Sequence, residues 1–183
     1  MNALKIMVIT LGTIVVLFLA LYTYYGGFKT ISFYVVDTGG ELLAYEEMKG
    51  DYNQTKEVTD RVYYLLLNDL KIETYKGFGL YYDDPKTVET SKLRSDIGCI
   101  IEDVDSTKIE LISQHLKVRT CPEGKYVITE FPNKGFISVI IGIIKVYPAF
   151  NDYVAANGYK DGPVMEIYDM PNKKIIYRKE IIK

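Results

Sequence analysis

The first apolar stretch of the chain runs from Ile6 to Phe28 without a charged residue. About 20 apolar residues are enough for a helix to cross the hydrocarbon core of a bilayer. The stretch ends in a cluster of tyrosines, which is typical of an interfacial aromatic belt. A cleaved signal peptide is the alternative, but no small-x-small cleavage site follows. We therefore expect residues 1–28 to form an uncleaved, single-pass transmembrane anchor, and the balanced flanking charges leave the side of the membrane open.

Residues 29–183 show a different pattern, in which short apolar runs alternate with turn-forming residues and no linker interrupts them. Runs of this length, rich in Val, Ile, Tyr and Phe, are typical of β-strands. The predicted strands are Thr30–Asp37, Glu41–Met48, Gly77–Tyr82, Ile97–Glu102, Leu116–Cys121, Lys125–Phe131, Pro163–Asp169 and Lys174–Ile181. The pattern predicts one domain that follows the anchor directly.

Two segments predict helices within this domain. Val58, Val62 and Leu66 recur at helical spacing and predict a helix over Asn53–Leu70. The second segment, Phe136–Ala156, starts with β-branched residues that would also suit a strand. We interpret it as a buried helix because Asn157-Gly158 provides a stop signal, and Pro148 should kink or restart it.

The predicted order of elements is strand, helix, strand, strand, and it occurs twice when each opening strand pair is counted as one element. This order predicts an α+β fold of tandem βαββ repeats, with antiparallel sheets and a helix on one face of each repeat. Two such repeats can pair through their sheets and leave a cleft between them. Clefts between such halves are common ligand sites.

A repeated motif allows the two halves to be aligned. Tyr82-Asp83-Asp84-Pro85 recurs, loosened, as Tyr168-Asp169-Met170-Pro171. In each copy the aspartate and proline end an apolar run with a turn. When the two motifs are aligned, the carboxylate of Glu166 falls at the position that Leu80 occupies in the first half. This difference is the strongest indication of a site in the sequence.

Strand alternation predicts the surroundings of that carboxylate. It places Val164, Glu166 and Tyr168 on one face of a strand, and Met165 and Ile167 on the other face, against a helix. A carboxylate beside aromatic rings suits a cationic or amphipathic ligand, because cation–π attraction adds to the charge. An acid on a solvated sheet face is the alternative. The predicted ligand-binding residues are Glu166, Tyr168, Tyr82 and Leu80.

Composition narrows the functional classes. A net charge of −2 gives no basic face for nucleic acid. Cys99 and Cys121 are read as small buried residues, with a single disulfide as the alternative, and His115 has no metal-ligating partner nearby. We predict no metal, no cofactor and no catalytic residue. Glu180 could serve as a second acid beside Glu166, which leaves hydrolysis open as a weaker alternative.

Four stretches of the domain together resemble the gyrase-inhibitor-like (GyrI-like) small-molecule-binding family, in particular its membrane-anchored branch, which includes a reticulophagy receptor. The stretches are Tyr45–Tyr52, Leu80–Pro85 with Lys92–Arg94, Lys145–Tyr153 and Pro163–Tyr168. The resemblance implies a tandem βαββ fold with a cleft between the halves. In related multidrug-responsive activators a buried glutamate on the penultimate strand receives cationic drugs, and Glu166 matches that place by its motif.

The resemblance and the residues together predict a membrane-anchored domain that binds a small molecule and no nucleic acid. The partners expected are a small-molecule ligand, a lipid membrane through the first helix, and a protein partner in one alternative. In that alternative the chain is a membrane-tethered interaction adaptor, like the reticulophagy receptor but without its acidic tail. Other relatives are hydrolases, so an enzyme that uses Glu166 is the third hypothesis.

Overall fold

The computed structural model describes residues 2–182, and eight strands of this range form one antiparallel sheet. The strands are β1 (Tyr34–Thr38), β2 (Leu42–Lys49), β3 (Lys76–Tyr81), β4 (Arg94–Ile101), β5 (Lys117–Thr120), β6 (Gly124–Pro132), β7 (Val164–Asp169) and β8 (Lys174–Glu180). The helices are α1 (Asn2–Tyr24), α2 (Thr55–Tyr64), α3 (Ser106–Ser113) and α4 (Phe136–Ala156). The predicted α+β class is confirmed. Lys183, the last residue of the predicted domain, lies outside the described residues.

The order of strands across the sheet is β1-β6-β8-β7-β3-β4-β2-β5. The sequence β2-α2-β3-β4 is followed by β6-α4-β7-β8, and β3 pairs with β7 at the centre. The strand that precedes each unit in the chain pairs with the other unit. Thus β1, which precedes β2, pairs with β6, and β5, which precedes β6, pairs with β2. The order of elements agrees with a tandem repeat, and the two halves share one continuous sheet.

The two long helices of the domain cover the same face of this sheet, which we call the helix face. Val58 and Val62 of α2 pack against the β2–β4 side, together with Leu66 of the π-helical turn Leu65–Asp69 that continues α2, because their spacing places them on one side of the helix. Val146 and Phe150 of α4 pack against the β6–β8 side. The central strands β3 and β7 therefore lie beneath the space that separates the two helices.

The other side of the sheet, which we call the open face, has its own buried cluster without a helix. Met165 and Ile167 belong to it, together with Leu43, Phe78 and Ile100. The prediction that Met165 and Ile167 pack against a helix is therefore wrong. They are buried by their neighbours across the strands, while the helices cover the face that carries Glu166.

Helix α4 confirms the predicted helix over Phe136–Ala156 and continues through Pro148. Pro148 lies on the exposed side of the helix, where water can satisfy the carbonyl that proline leaves free. Helix α3 was not predicted. Asp105 begins it by accepting a hydrogen bond from the backbone N–H of Lys108, and its Ile112 is fully buried.

Helix α1 is long and apolar enough to span a membrane, and none of its described residues is buried. By length and composition a signal sequence would pass the same test. Helix α4 passes it too, but a stripe from Ser138 to Val154 is buried against the sheet. The chain leaves α1 through Tyr25–Lys29, which contacts the domain at the start of α4.

Candidate ligand-binding site around Glu166

Glu166 lies at the centre of the sheet, on the helix face. Its strand neighbours are Gly79 in β3 and Tyr177 in β8. Only 2% of its surface is exposed. Strand β7 alternates as predicted, because Val164, Glu166 and Tyr168 share this face while the residues between them enter the open-face cluster. The fold therefore buries a carboxylate in the space between α2 and α4.

Two tyrosine hydroxyls donate hydrogen bonds to this carboxylate. Tyr147, from α4, lies 2.7 Å from Oε1, and Tyr168, two residues along β7, lies 2.6 Å from Oε2. Each carboxylate oxygen thus has one hydroxyl donor from the surrounding protein. Among residues 2–182, no lysine or arginine forms an ion pair with Glu166.

Two further tyrosines complete the surroundings. Tyr177 is fully buried beside Glu166, and its hydroxyl has no hydrogen-bond partner within the described residues. Its ring meets that of Tyr147 edge to face, with centroids 6.2 Å apart. Tyr81 in β3 shares the helix face, and its ring packs edge to face against Tyr52 at 4.9 Å. Aromatic rings from the sheet, from α4 and from the turn before α2 therefore enclose the carboxylate.

The electrostatics follow from burial without a basic partner. Burial raises the pKa of Glu166 above its ordinary value of 4.5, and the hydrogen bonds from Tyr168 and Tyr147 oppose part of that rise. Burial and the charge of Glu166 also raise the pKa values of Tyr81 and Tyr177. The tyrosines therefore stay protonated and can donate hydrogen bonds or stack, and Glu166 is the group whose ionisation would bring a negative charge to the site.

Glycines make room for these side chains. A Cβ at Gly79 would lie 2.7 Å from the hydroxyl of Tyr81, whose ring lies over this glycine. A Cβ at Gly142 of α4 would lie 2.5 Å from the hydroxyl of Tyr177. Strand and helix can approach the tyrosines closely only because both positions lack a side chain.

The tyrosines close over Glu166 in this conformation. Two open depressions, of about 420 and 360 Å³, lie elsewhere and are lined by loops around Gly39–Leu42 and Lys71–Tyr75. Glu166 is therefore closed off from solvent, with Tyr147 as its hydrogen-bond partner from the helix side.

The structure brings together two of the four predicted ligand-binding residues, Glu166 and Tyr168. Leu80 does not join them, because it pairs with Met165 and packs in the open-face cluster. Tyr82 is also on that side, where its hydroxyl donates to Asp96 at 2.7 Å. Aligning the two copies of the Tyr-Asp-x-Pro motif gives an equivalence between β3 and β7 that differs by one residue from the one in the sheet. Because side chains alternate between the two faces at every residue, this difference assigns the residues of β3 to the wrong face. Gly79 and Tyr81 thus take the places that the motif gave to Leu80 and Tyr82.

The sequence interpretation missed Tyr147, Tyr81 and Tyr177. Tyr81 could have been found by alternation, because Gly79-x-Tyr81 in β3 parallels Glu166-x-Tyr168 in β7. Tyr147 lies within one of the stretches that carry the family resemblance, but the sequence does not show where its side chain points. Tyr177 lies opposite Glu166 only through the pairing of β7 with β8.

The other candidate groups lie apart from this site. Glu180 is exposed and follows the alternation of β8 onto the open face, so it does not form a pair of acids with Glu166. Cys99 and Cys121 are buried free thiols. Within residues 2–182, no group of three or more His, Cys, Asp or Glu side chains could hold a metal ion.

Three similarities to known proteins agree with this architecture. Human testis-expressed protein 264 is 30% identical over 99 residues, which are 51% of this chain and 32% of that protein. The chain therefore spans about a third of the length of this curated relative. The crystal structure of the EcmrR C-terminal domain superposes with a TM-score of 0.59 at 10% identity, covering 84% of this chain and 98% of that one.

The structure of SAV2435 bound to tetraphenylphosphonium superposes with a TM-score of 0.52 at 16% identity, over 84% of this chain and 94% of that one. At such identities the two solved structures show a shared fold. Residues 40–182, which hold every strand from β2 to β8 and all the tyrosines around Glu166, match the GyrI-like small molecule binding domain. The resemblance seen in the sequence is thus confirmed, and the chain belongs to the GyrI-like family.

Proposed function

We propose that this domain binds a small cationic or amphipathic molecule against Glu166, and that α1 holds the domain at a membrane. Glu166 supplies the countercharge. Tyr168, Tyr147 and Tyr81 supply hydroxyls and aromatic faces. The residues 1–28 form the anchor and residues 29–183 form the binding domain in this proposal.

The observation that carries the proposal is a fully buried carboxylate that has no basic partner among residues 2–182. Burying a charge costs several kcal/mol unless a partner compensates for it, so a core acid normally pairs with arginine or lysine. Two hydroxyl donors compensate only in part, as the raised pKa shows. A cation that enters between α2 and α4 would complete the neutralisation, and the aromatic rings would stabilise it by cation–π attraction of about 0.5–2 kcal/mol per ring.

The family supports the same class of ligand. The domain matched is a small-molecule-binding domain, and SAV2435, which shares the fold, was solved with tetraphenylphosphonium. That compound combines one positive charge with a large apolar surface. The site around Glu166 offers one negative charge inside an aromatic enclosure, which is the complementary chemistry.

The experiment titrates the full-length protein in detergent with tetraphenylphosphonium and measures the heat of binding by calorimetry. We expect saturable binding by the wild type and at least a tenfold loss of affinity in Glu166→Gln, since about 1.4 kcal/mol corresponds to a factor of ten. Tetraphenylborate has the same shape and the opposite charge. It should not bind to the wild type at the same site.

Asp96→Asn is the matched control variant. Asp96 is another buried acid, 5% exposed, but it lies on the open face and pairs with Arg119 at 2.7 Å. Its loss should leave the affinity for the cation unchanged. Equal affinities in the wild type and in Glu166→Gln would refute the role that we give to Glu166.

A further inference from the structure

Helix α4 carries an exposed apolar surface that the binding site does not use. Its members lie in the first turns of the helix, ahead of Pro148. They are Phe136 (77% exposed), Ile137 (49%), Ile140 (40%), Ile143 (43%) and Ile144 (66%). At about 100° per residue these positions fall within one sector of the helix, opposite Ser138, Gly142 and Val146, which the same turns bury on the sheet. We call these five residues the apolar face of α4.

The rest of the domain has no comparable surface among its described residues. Other exposed large apolar side chains lie on separate elements, such as Tyr64 on α2, Tyr75 before β3 and Met170 after β7. Single exposed apolar residues are ordinary on protein surfaces, but a contiguous cluster indicates a binding surface. The face also ends abruptly, because the exposed positions beyond Pro148 include Asn151 and Asp152.

The end of α1 is fixed against the same turns of α4, on the side of the helix that faces away from the apolar face. Ser138 donates a hydrogen bond to the carbonyl of Tyr25 at 3.2 Å, and the ammonium of Lys145 donates to the carbonyls of Gly27 and Lys29. Lys134, just before α4, places its ammonium 4.2 Å from the ring centroid of Tyr24. The segment that leaves the proposed anchor therefore contacts α4 along the turns that present its apolar face.

Charge distribution points to the same occupant. No acidic residue occurs from Met1 to Val36 or from Pro132 to Asn151. Lys29, Lys134 and Lys145 lie around the junction of α1 with α4. A helix with an apolar face and with lysines elsewhere on the same turns and next to its start is suited to the boundary between lipid headgroups and acyl chains, where anionic lipids attract the basic groups.

We propose that α4 lies on the bilayer through its apolar face, so that the domain is seated on the membrane and does not hang from a free tether. A bilayer is favoured over a second protein because the anchor leaves the domain at the first turns of α4, the turns that carry the apolar face, which brings the lipid close to it. The inference rests on the proposed membrane anchor. Tyr147, one turn beyond Ile143, would then place the binding site close to the membrane surface.

Lipid quenching of fluorescent probes tests this contact in the full-length chain reconstituted in liposomes. Single cysteines at Ile140 and Ile144 would carry bimane, and lipids with a doxyl group on the acyl chain would quench it. The wild type, whose two cysteines are buried, controls for background labelling. Asn151→Cys is the matched control, because it is exposed on the same helix beyond Pro148.

We expect at least twofold stronger quenching at positions 140 and 144 than at 151. Leu11→Cys reports on the anchor. Quenching at 11 with no excess at 140 and 144 would overturn the seated domain and leave the anchor intact. Excess quenching at 140 and 144 without quenching at 11 would support the contact and refute the anchor. Absence of quenching at all four positions would refute both. If the unlabelled Ile140→Cys variant forms a disulfide between copies under an added thiol oxidant, and its bimane-labelled form is not quenched, the face belongs to a second copy and the inference is overturned.

Discussion

Two glutamates on opposite faces of one sheet differ in their hydrogen-bond partners and in the direction of their pKa shifts. On the open face, Glu41 receives two hydrogen bonds from Arg178, at 2.6 and 3.2 Å, and Arg178 is itself 2% exposed. Burial acts to raise the pKa of Glu41, but the hydrogen bonds and charge of Arg178 outweigh it and lower the pKa. On the helix face, Glu166 has only tyrosine hydroxyls, and burial raises its pKa.

The difference separates a structural acid from a candidate binding acid. The half-buried carboxylate of Glu41 has its partner within the fold, because the bidentate arginine matches its geometry and its charge. A buried carboxyl group with hydroxyl donors alone has no basic partner within residues 2–182, so its ionised form is disfavoured until a cation is supplied.

Removal of Arg178 should have the largest effect on stability. Arg178→Met keeps most of the side-chain volume but leaves Glu41 without its partner, so we expect a loss of about 3 kcal/mol. Thermal unfolding of the full-length protein in detergent would measure it. Arg61→Met is the control, since Arg61 pairs with Glu46 at the exposed surface and such pairs contribute about 0–1 kcal/mol. Similar losses in both variants would contradict the structural role of Arg178.

Glu166→Gln should change stability in the opposite sense. Because the pKa of Glu166 is raised in the folded state, its ionisation opposes folding, and stability falls as pH rises from 4.5 through the raised value. The variant removes this effect. At neutral pH it should be as stable as the wild type or more stable by about 1 kcal/mol, and the difference should vanish near pH 4. A loss of stability at pH 7 would show that the ionised carboxylate is structural.

The same titration should govern ligand binding. A cation competes with a proton for Glu166, so the affinity of the wild type for tetraphenylphosphonium should fall as pH is lowered through the raised pKa. Titrations from pH 8 to pH 4 would follow it. In Glu166→Gln the residual affinity should not depend on pH over this range. An affinity that is independent of pH in the wild type would argue against a charged Glu166 at the site.

Loss of one hydroxyl from the site should have a smaller effect. Tyr147→Phe and Tyr168→Phe each leave one oxygen of Glu166 without its donor, at a cost of about 1 kcal/mol in unfolding free energy. Each should also move the pH dependence of cation binding to higher pH, because the hydrogen bonds lower the pKa of Glu166. Tyr153→Phe on α4 is the control, since no hydrogen bond of its hydroxyl to Glu166 is present. A shift of the same size in the control would contradict this assignment.

Gly142→Ala tests how closely α4 covers the site. Its Cβ would lie 2.5 Å from the hydroxyl of Tyr177, so overpacking should outweigh the helix propensity that alanine gains and leave a net loss of about 1 kcal/mol. Tyr177→Phe in the same chain removes the clashing oxygen and should restore most of the stability. Unfolding of the single and double variants would measure the coupling. Absence of coupling between the two positions would show that α4 does not rest on Tyr177.

The spacing of apolar residues was sufficient to predict an element where the element buries one of its faces. Val58, Val62 and Leu66 predicted α2 because a helix brings these spacings to one side. Alternation in β7 likewise placed Glu166 and Tyr168 on one face. Helix α3 escaped prediction because only Ile112 is fully buried in it, so its sequence carries little pattern beyond the capping Asp105. Leu80 and Tyr82 were misplaced because a turn motif fixes where a strand ends, and it does not fix the register of that strand with its partner.

The sequence by itself determined the strands, the apolar first helix, the other helices except α3, the family and the strand face on which Glu166 lies, because these depend on local spacing and on residue type. Only the tertiary structure decided that this face is the one covered by α2 and α4. It also selected Tyr147, Tyr81 and Tyr177 from a chain that contains 17 tyrosines. These residues meet Glu166 through the packing of α4 and the pairing of β3, β7 and β8, contacts between distant parts of the chain that no local pattern records.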